Sequence, residues 1–177
     1  MNCFPFMVPA AGCRCLLTGG GKIALHKARR LALFGVRIVV CAREILPELE
    51  ELAAQVHREY DVSLLDGADF AVAATSDRAF NARVAEDCRA RRVPVNCVDD
   101  RAHCDFYFPA LIVRGDTVIA VSTGGVSPLA AALLKERIAR SLPDDLEERV
   151  ACAGRLREAG DGEAYERECR RLFEEEI

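Results

Sequence analysis

Cys13-Arg-Cys-Leu-Leu-Thr-Gly-Gly-Gly-Lys-Ile-Ala24 is the stretch on which the fold turns. A short apolar run, Cys13–Thr18, stops at three glycines and gives way to an amphipathic segment, Lys22–Phe34. Ala24, Ala28 and Leu31 lie at helical spacing, and Gly35 is well placed as the stop. A strand, a glycine turn and a helix in that order open a βαβ unit, and Gly19, Gly21 and Ala24 fit the pattern G-x-G-x-x-A. Gly19 allows the tight turn. Gly21 lets backbone amides approach a pyrophosphate at the positive helix terminus, and Ala24 permits close helix–strand packing. Three glycines alone could simply make a loop; their place between strand and helix points to dinucleotide binding.

The next segments continue the alternation. Val36–Cys41 reads as a second strand, with Arg43 and Glu44 just beyond it. Glu44 lies about where an acid would bind a ribose, whereas Arg43 could favour a 2′-phosphate, and both could equally be solvated residues starting a helix. Glu44 tips the expectation to NAD. Pro47 opens a helix whose apolar face is Leu49, Leu52, Ala53 and Val56. The distance from Val56 to Leu65 is short for a full strand–turn unit and predicts a stunted third strand. Ala68–Thr75 reads as a parallel strand buried on both faces. Asp77 caps a helix carrying Phe80, Val84 and Cys88, which ends at Arg89, Arg91 and Arg92, and Val93–Val98 is the following strand. The fold class is therefore α/β, with a Rossmann-like, doubly wound parallel sheet.

That last strand runs into Asn96, Asp99 and Asp100, then Cys104-Asp-Phe-Tyr-Phe-Pro-Ala110. Ligands of open α/β sheets sit beyond the carboxyl ends of the strands. A partly shielded carboxylate there, near a second one, would have its pKa raised and could accept a proton. The plainer alternative makes Asp99 and Asp100 turn formers, Asp105 a capping residue and His103 a surface residue. After Pro109 the pattern changes. Ala110–Val113 and Thr117–Ser122 read as a hairpin about Arg114-Gly-Asp116, and Ser127-Pro128 starts a long helix. Thr123, Gly124 and Gly125 precede that helix and could hold an anionic group by backbone amides, or could be an ordinary capped loop. Leu129, Leu133, Leu134, Ile138 and Leu142 form a stripe broad enough to call for a second subunit, and a charged helical region follows from Pro143.

Composition removes several classes of function. A net charge of −4 argues against a nucleic-acid partner. No apolar run approaches the roughly 20 residues that cross a bilayer. The first residues hold two prolines and no basic segment, unlike a signal peptide, so a cytoplasmic location is expected. The nine cysteines include no C-x-x-C pair, and Cys15, Cys41 and Cys97 sit within strand-like runs, as small core hydrophobes rather than metal ligands.

Together, Phe4-Pro5, residues 16–35, residues 71–77 with Asn81, residues 93–100, residues 104–116 and residues 121–138 resemble the precorrin-2 dehydrogenase / sirohydrochlorin ferrochelatase family. The likeness covers roughly residues 2–143 and thins into residues 154–158. It implies NAD-dependent oxidation of precorrin-2 to sirohydrochlorin on the route to siroheme, with some members also inserting ferrous iron. It implies an intertwined homodimer, with a Rossmann domain over residues 1–110, a dimerisation segment over 111–143 and a small helical region over 144–177. The family's key aspartate falls at Asp99, within Asn96-Cys-Val-Asp99. Its dinucleotide contacts fall on Gly19, Gly20, Gly21, Lys22 and Ile23, on Arg43 and Glu44, and near Thr75. For the carboxylates of the tetrapyrrole, Arg101, Arg114, Thr123, Gly124 and Gly125 are the candidates, with Asn96 a further substrate-binding candidate; no residue is assigned to a resident metal. His26 stands where the family commonly has arginine, and Arg43 where proline is usual. Two other readings stay open: a chelatase with a vestigial nucleotide fold, and a non-catalytic, dimeric NAD(H)-sensing module.

Overall fold

The computed structural model describes residues 4–98, 100–160 and 162–174. Its contacts divide the chain into two compact units, Pro5–Tyr107 and Met1–Phe4 with Phe108–Ile177. In the first unit five parallel strands lie in the order β3-β2-β1-β4-β5: β1 (Arg14–Thr18), β2 (Arg37–Cys41), β3 (Gln55–His57), β4 (Phe70–Ala73) and β5 (Val95–Cys97). Helices α1 (Lys22–Ala32), α2 (Pro47–Leu52) and α3 (Arg78–Arg91) make the crossovers. The chain leaves β1 toward β2 and returns to β4 on the other side, which makes the carboxyl ends of β1 and β4 the switch point where ligands bind.

The central strands are apolar because they are covered on both faces. Leu16, Leu17, Val40, Ala71 and Val72 are fully buried, and each of these leucines and valines contributes about 1.5–3 kcal/mol by leaving water. Leu16, Val39, Ala71 and Val95 join Val84 and Cys88 of α3 and Leu65 in one cluster. Cys15 and Cys88 are buried as small hydrophobes, and burial pushes both thiols up.

Helix boundaries follow the expected signals, with one correction. Asp77 caps α3 by accepting from the Phe80 N–H at 3.0 Å. Arg92 ends it in the left-handed region at φ 57°. The second helix, expected to run to Val56, stops at Leu52. The Ala54 N–H donates to the Ile38 carbonyl at 2.8 Å and draws the chain into the sheet, so Val56 pairs with Val40 in β3. At three residues β3 is short, as expected, but it is Gln55–His57 and includes Val56 rather than lying between Val56 and Leu65.

In the second unit β6 (Ala110–Arg114) and β7 (Thr117–Val121) form an antiparallel hairpin, with Gly115 at φ +52° in its turn. Helix α4 (Pro128–Ser141) packs on both strands and begins at Ser127, whose Oγ accepts from the Ala130 N–H at 3.1 Å. Helices α5 (Leu146–Glu158) and α6 (Gly162–Glu174) pack on each other, and the Arg149 guanidinium of α5 donates to the Leu172 carbonyl of α6.

Candidate functional site

The three glycines at the carboxyl end of β1 differ in what surrounds them. Gly19 adopts φ +115°, and a Cβ there would lie 2.4 Å from the Ala74 carbonyl oxygen. A Cβ on Gly20 would lie 1.8 Å from the Glu44 carbonyl oxygen, and the Gly20 carbonyl itself accepts from the Leu46 N–H at 3.0 Å. A Cβ on Gly21 would meet nothing within 4 Å. Gly19 and Gly20 are therefore closed in by the ends of β4 and β2, while Gly21 opens outward. Gly21 is the N-cap of α1, has no side-chain cap, and is followed by a first turn without an acid. Exposed Lys22 and Ile23 follow it. This terminus presents positive helix-end dipole with no side-chain cap and no acid in its first turn, which suits the pyrophosphate of a dinucleotide.

The second glycine turn is built otherwise. The Thr123 hydroxyl accepts from the Ser127 N–H at 3.1 Å and donates to the Ser127 carbonyl at 2.9 Å. The Gly124 N–H donates to Ser122 Oγ at 3.2 Å, and Gly124 and Gly125 adopt φ +61° and +75°. Thr123 and Gly124 thus spend hydrogen-bonding groups inside their own turn, ahead of a helix that Ser127 already caps.

Arg43 and Glu44 are exposed beyond β2, and the Arg43 carbonyl accepts from Arg58 Nη1 at 3.4 Å. Thr75, beyond β4, is held by Asn81: the Thr75 N–H donates to Asn81 Oδ1 at 3.2 Å, and Asn81 Nδ2 donates to the Thr75 carbonyl at 3.0 Å. Thr18, the last residue of β1, has a fully buried hydroxyl that finds no partner among the described residues.

At the end of β5, Asp99 lies outside the described residues. Asn96 is buried, and its Nδ2 donates to the Phe106 carbonyl at 2.9 Å, so its amide holds the segment after β5 in place. Asp105 is not at the mouth: its Oδ2 accepts from the Val95 N–H at 3.0 Å, and its own N–H donates to the Val95 carbonyl at 2.8 Å. The Cys97 N–H donates to Cys104 Sγ at 3.3 Å, and that thiol donates to the Cys97 carbonyl at 3.0 Å. Cys104 and Asp105 thereby cover the outer edge of β5. Asp100 caps the turn at Arg101–His103 through the Ala102 N–H at 3.0 Å and holds His103 Nδ1 at 2.7 Å; the histidine keeps the Asp100 carboxyl below its ordinary range. Arg101 is exposed in that turn, and Arg114 is exposed at the end of β6.

Sequence reasoning left Lys27 without a role. It is half-buried on α1, and desolvation, then the neighbouring Arg30 charge, lower its pKa to about 8. His26 beside it is lowered by desolvation and by Arg30, Lys27 and Arg29. Among the described residues no group of three or more His, Cys, Asp or Glu side chains is arranged to hold a metal ion.

The switch point in strand order and the uncapped glycine terminus define a dinucleotide-binding protein of the doubly wound class. The chain belongs to the family described as "Putative NAD(P)-binding", whose model matches residues 6–110. A second model, described as "Sirohaem biosynthesis protein central", matches residues 119–141. Siroheme synthase of Pseudomonas fluorescens (strain Pf0-1) is 38% identical, the match covering 100% of this chain and 39% of that protein. Siroheme synthase of Chromobacterium violaceum is 40% identical over 81% of this chain and 32% of that protein. The chain thus spans well under half the length of these relatives. Among solved structures, "SirC, precorrin-2 dehydrogenase" superposes with a TM-score of 0.71 at 25% identity, covering 88% of this chain and 79% of that one.

Proposed function

We propose that this chain oxidises precorrin-2 to sirohydrochlorin with NAD⁺, in the biosynthesis of siroheme. The observation that carries the reading is the open, uncapped glycine terminus on a fold that superposes on a precorrin-2 dehydrogenase over most of both chains. The likeness to siroheme synthases through the whole chain supports it.

In this reading the amides of Gly19, Gly20, Gly21, Lys22 and Ile23 hold the pyrophosphate, Arg43 and Glu44 flank the adenosine ribose, and Thr75 lines the crevice beyond β4. Bound there, NAD⁺ supplies the hydride acceptor. Asp99 takes the proton that leaves the macrocycle, so that loss of one hydride and one proton gives sirohydrochlorin, NADH and H⁺. Asn96 positions the segment after β5, and Arg101 binds a carboxylate of the substrate. If ferrous iron is inserted as a second substrate, Asp99 takes pyrrole protons as the metal enters. The protein acts in the cytoplasm as a homodimer, with residues 111–143 as the dimerisation segment. Exposure of Leu129, Leu133 and Leu134 at 69%, 56% and 48% supports that assembly.

The test is an anaerobic assay of precorrin-2 with NAD⁺ and no metal, followed by addition of Fe²⁺. The sirohydrochlorin absorption spectrum should appear in the first stage. Asp99→Ala should lower kcat by about 10²-fold or more, the range for loss of a general base. Full activity in that variant would exclude Asp99 as the base. Metal insertion without NAD⁺ reduction would favour a chelatase alone, and tight NADH binding without turnover a sensor.

A further inference from the structure

We infer that Asn81 is a positioning residue of the dinucleotide site, fixing the peptide against which the first glycine turn is packed. The inference rests on the dinucleotide reading above and deepens it. Gly19 presses on the Ala74–Thr75 peptide: a Cβ there would come within 2.4 Å of the Ala74 oxygen and 3.2 Å of the Thr75 nitrogen. Any shift of that peptide therefore moves the glycine turn or opens a gap beside it.

Asn81 spends its amide on the residue at the far side of that peptide. Its Oδ1 accepts from the Thr75 N–H at 3.2 Å and from the Thr75 hydroxyl at 2.7 Å, and its Nδ2 donates to the Thr75 carbonyl at 3.0 Å. Three hydrogen bonds onto one residue leave the loop between β4 and α3 little freedom at its second position. The Ala74 N–H donates to the Thr18 carbonyl at 2.8 Å, so the residue before the peptide is tied to β1 and the residue after it to Asn81.

The placement is costly if nothing depends on it. Asn81 is 2% exposed and shares the buried face of α3 with Val84, Ala85 and Cys88. A buried amide without partners would lose about 1–3 kcal/mol, and an apolar side chain would suit that face better. Helix capping does not require it either, because Asp77 already caps α3 through the Phe80 N–H. What its amide reaches is the loop at the carboxyl end of β4, on the switch-point side of the sheet.

NADH fluorescence titration and steady-state kinetics of the full chain test this. Asn81→Ala should weaken NADH binding about tenfold and raise KM for NAD⁺ by a similar factor. Its kcat at saturating NAD⁺ and its KM for the tetrapyrrole should stay within about twofold of wild type. A defect of folding alone would lower kcat with the active fraction and leave the NADH affinity of that fraction intact; that result overturns the inference. Asn81→Asp serves if the alanine variant does not fold. It keeps the acceptor oxygen but sets an unprotonated oxygen against the Thr75 carbonyl. Its NADH affinity should fall below that of wild type while kcat at saturating NAD⁺ stays within about twofold. Wild-type NADH affinity in Asn81→Asp would overturn the inference. Wild-type protein that binds no NADH would instead sink the dinucleotide reading itself.

Discussion

A methyl group added to Gly19, Gly20 or Gly21 meets three different surroundings. On Gly20 it would collide with the Glu44 backbone, and on Gly19 with the Ala74 carbonyl at a φ that disfavours any side chain. Gly19→Ala and Gly20→Ala should each lower stability by more than about 2 kcal/mol, read by chemical denaturation. On Gly21 the methyl would enter open space at ordinary φ −92°. Gly21→Ala should cost less than about 1 kcal/mol, the small penalty of alanine at an N-cap, yet weaken NADH at least about tenfold because the methyl occupies the ligand's side of the turn. Undiminished NADH binding by Gly21→Ala would show that no pyrophosphate lies over this helix end. The sequence pattern marked Gly19 and Gly21; the demand on Gly20 came from a strand end 24 residues further along, which a local pattern does not contain.

At the scale of elements, β5 is an edge strand whose outer side would otherwise expose unpaired backbone groups. Cys104 and Asp105 cover it, with the Asp105 carboxylate in the place of a neighbouring strand's carbonyl. Asp105→Ala leaves the Val95 N–H without this partner at a fully buried residue and should destabilise by about 1–3 kcal/mol in urea melts. Asp105→Asn retains an acceptor oxygen and should cost clearly less. Equal stability of Asp105→Ala and wild type would refute the edge role. The aspartates after β5 look alike in sequence because all are acceptors in a polar run. Their separation into an edge cover at Asp105 and a turn cap at Asp100 depends on how the chain doubles back beside β5. The overextended second helix has the same origin: Val56 has helical spacing from Leu49 and Leu52, but a backbone bond to β2 captures the chain first.

For the whole molecule, the unresolved demand is the apolar face of α4. Leu129, Leu133 and Leu134 of the helix, and Val126 just before it, are 69%, 56%, 48% and 80% exposed, a clustering that a second copy of the chain would cover. Sedimentation velocity should show a dimer, and Leu133→Asp should shift it toward monomer by placing a charge in the contact. A wild-type chain that sediments as a monomer at micromolar concentration would remove the dimer. The same experiment on Asp105→Ala should leave the dimer intact, since the edge of β5 belongs to the other compact unit.

The alternation of strands and helices along the chain, the glycine turn and the caps at Asp77 and Ser127 were legible from the chain alone, because each depends on residues within a few positions of one another. Continuous apolar runs likewise foretold the buried central strands. The packing of Gly20 on Glu44, the clamp of Asn81 on Thr75 and the cover of β5 by Cys104 and Asp105 required the folded molecule. In each of these a polar group or a bare Cα finds its partner only after the sheet has fixed which strand ends and loops lie side by side. The residue types limit what bonds can form, and the topology selects among them.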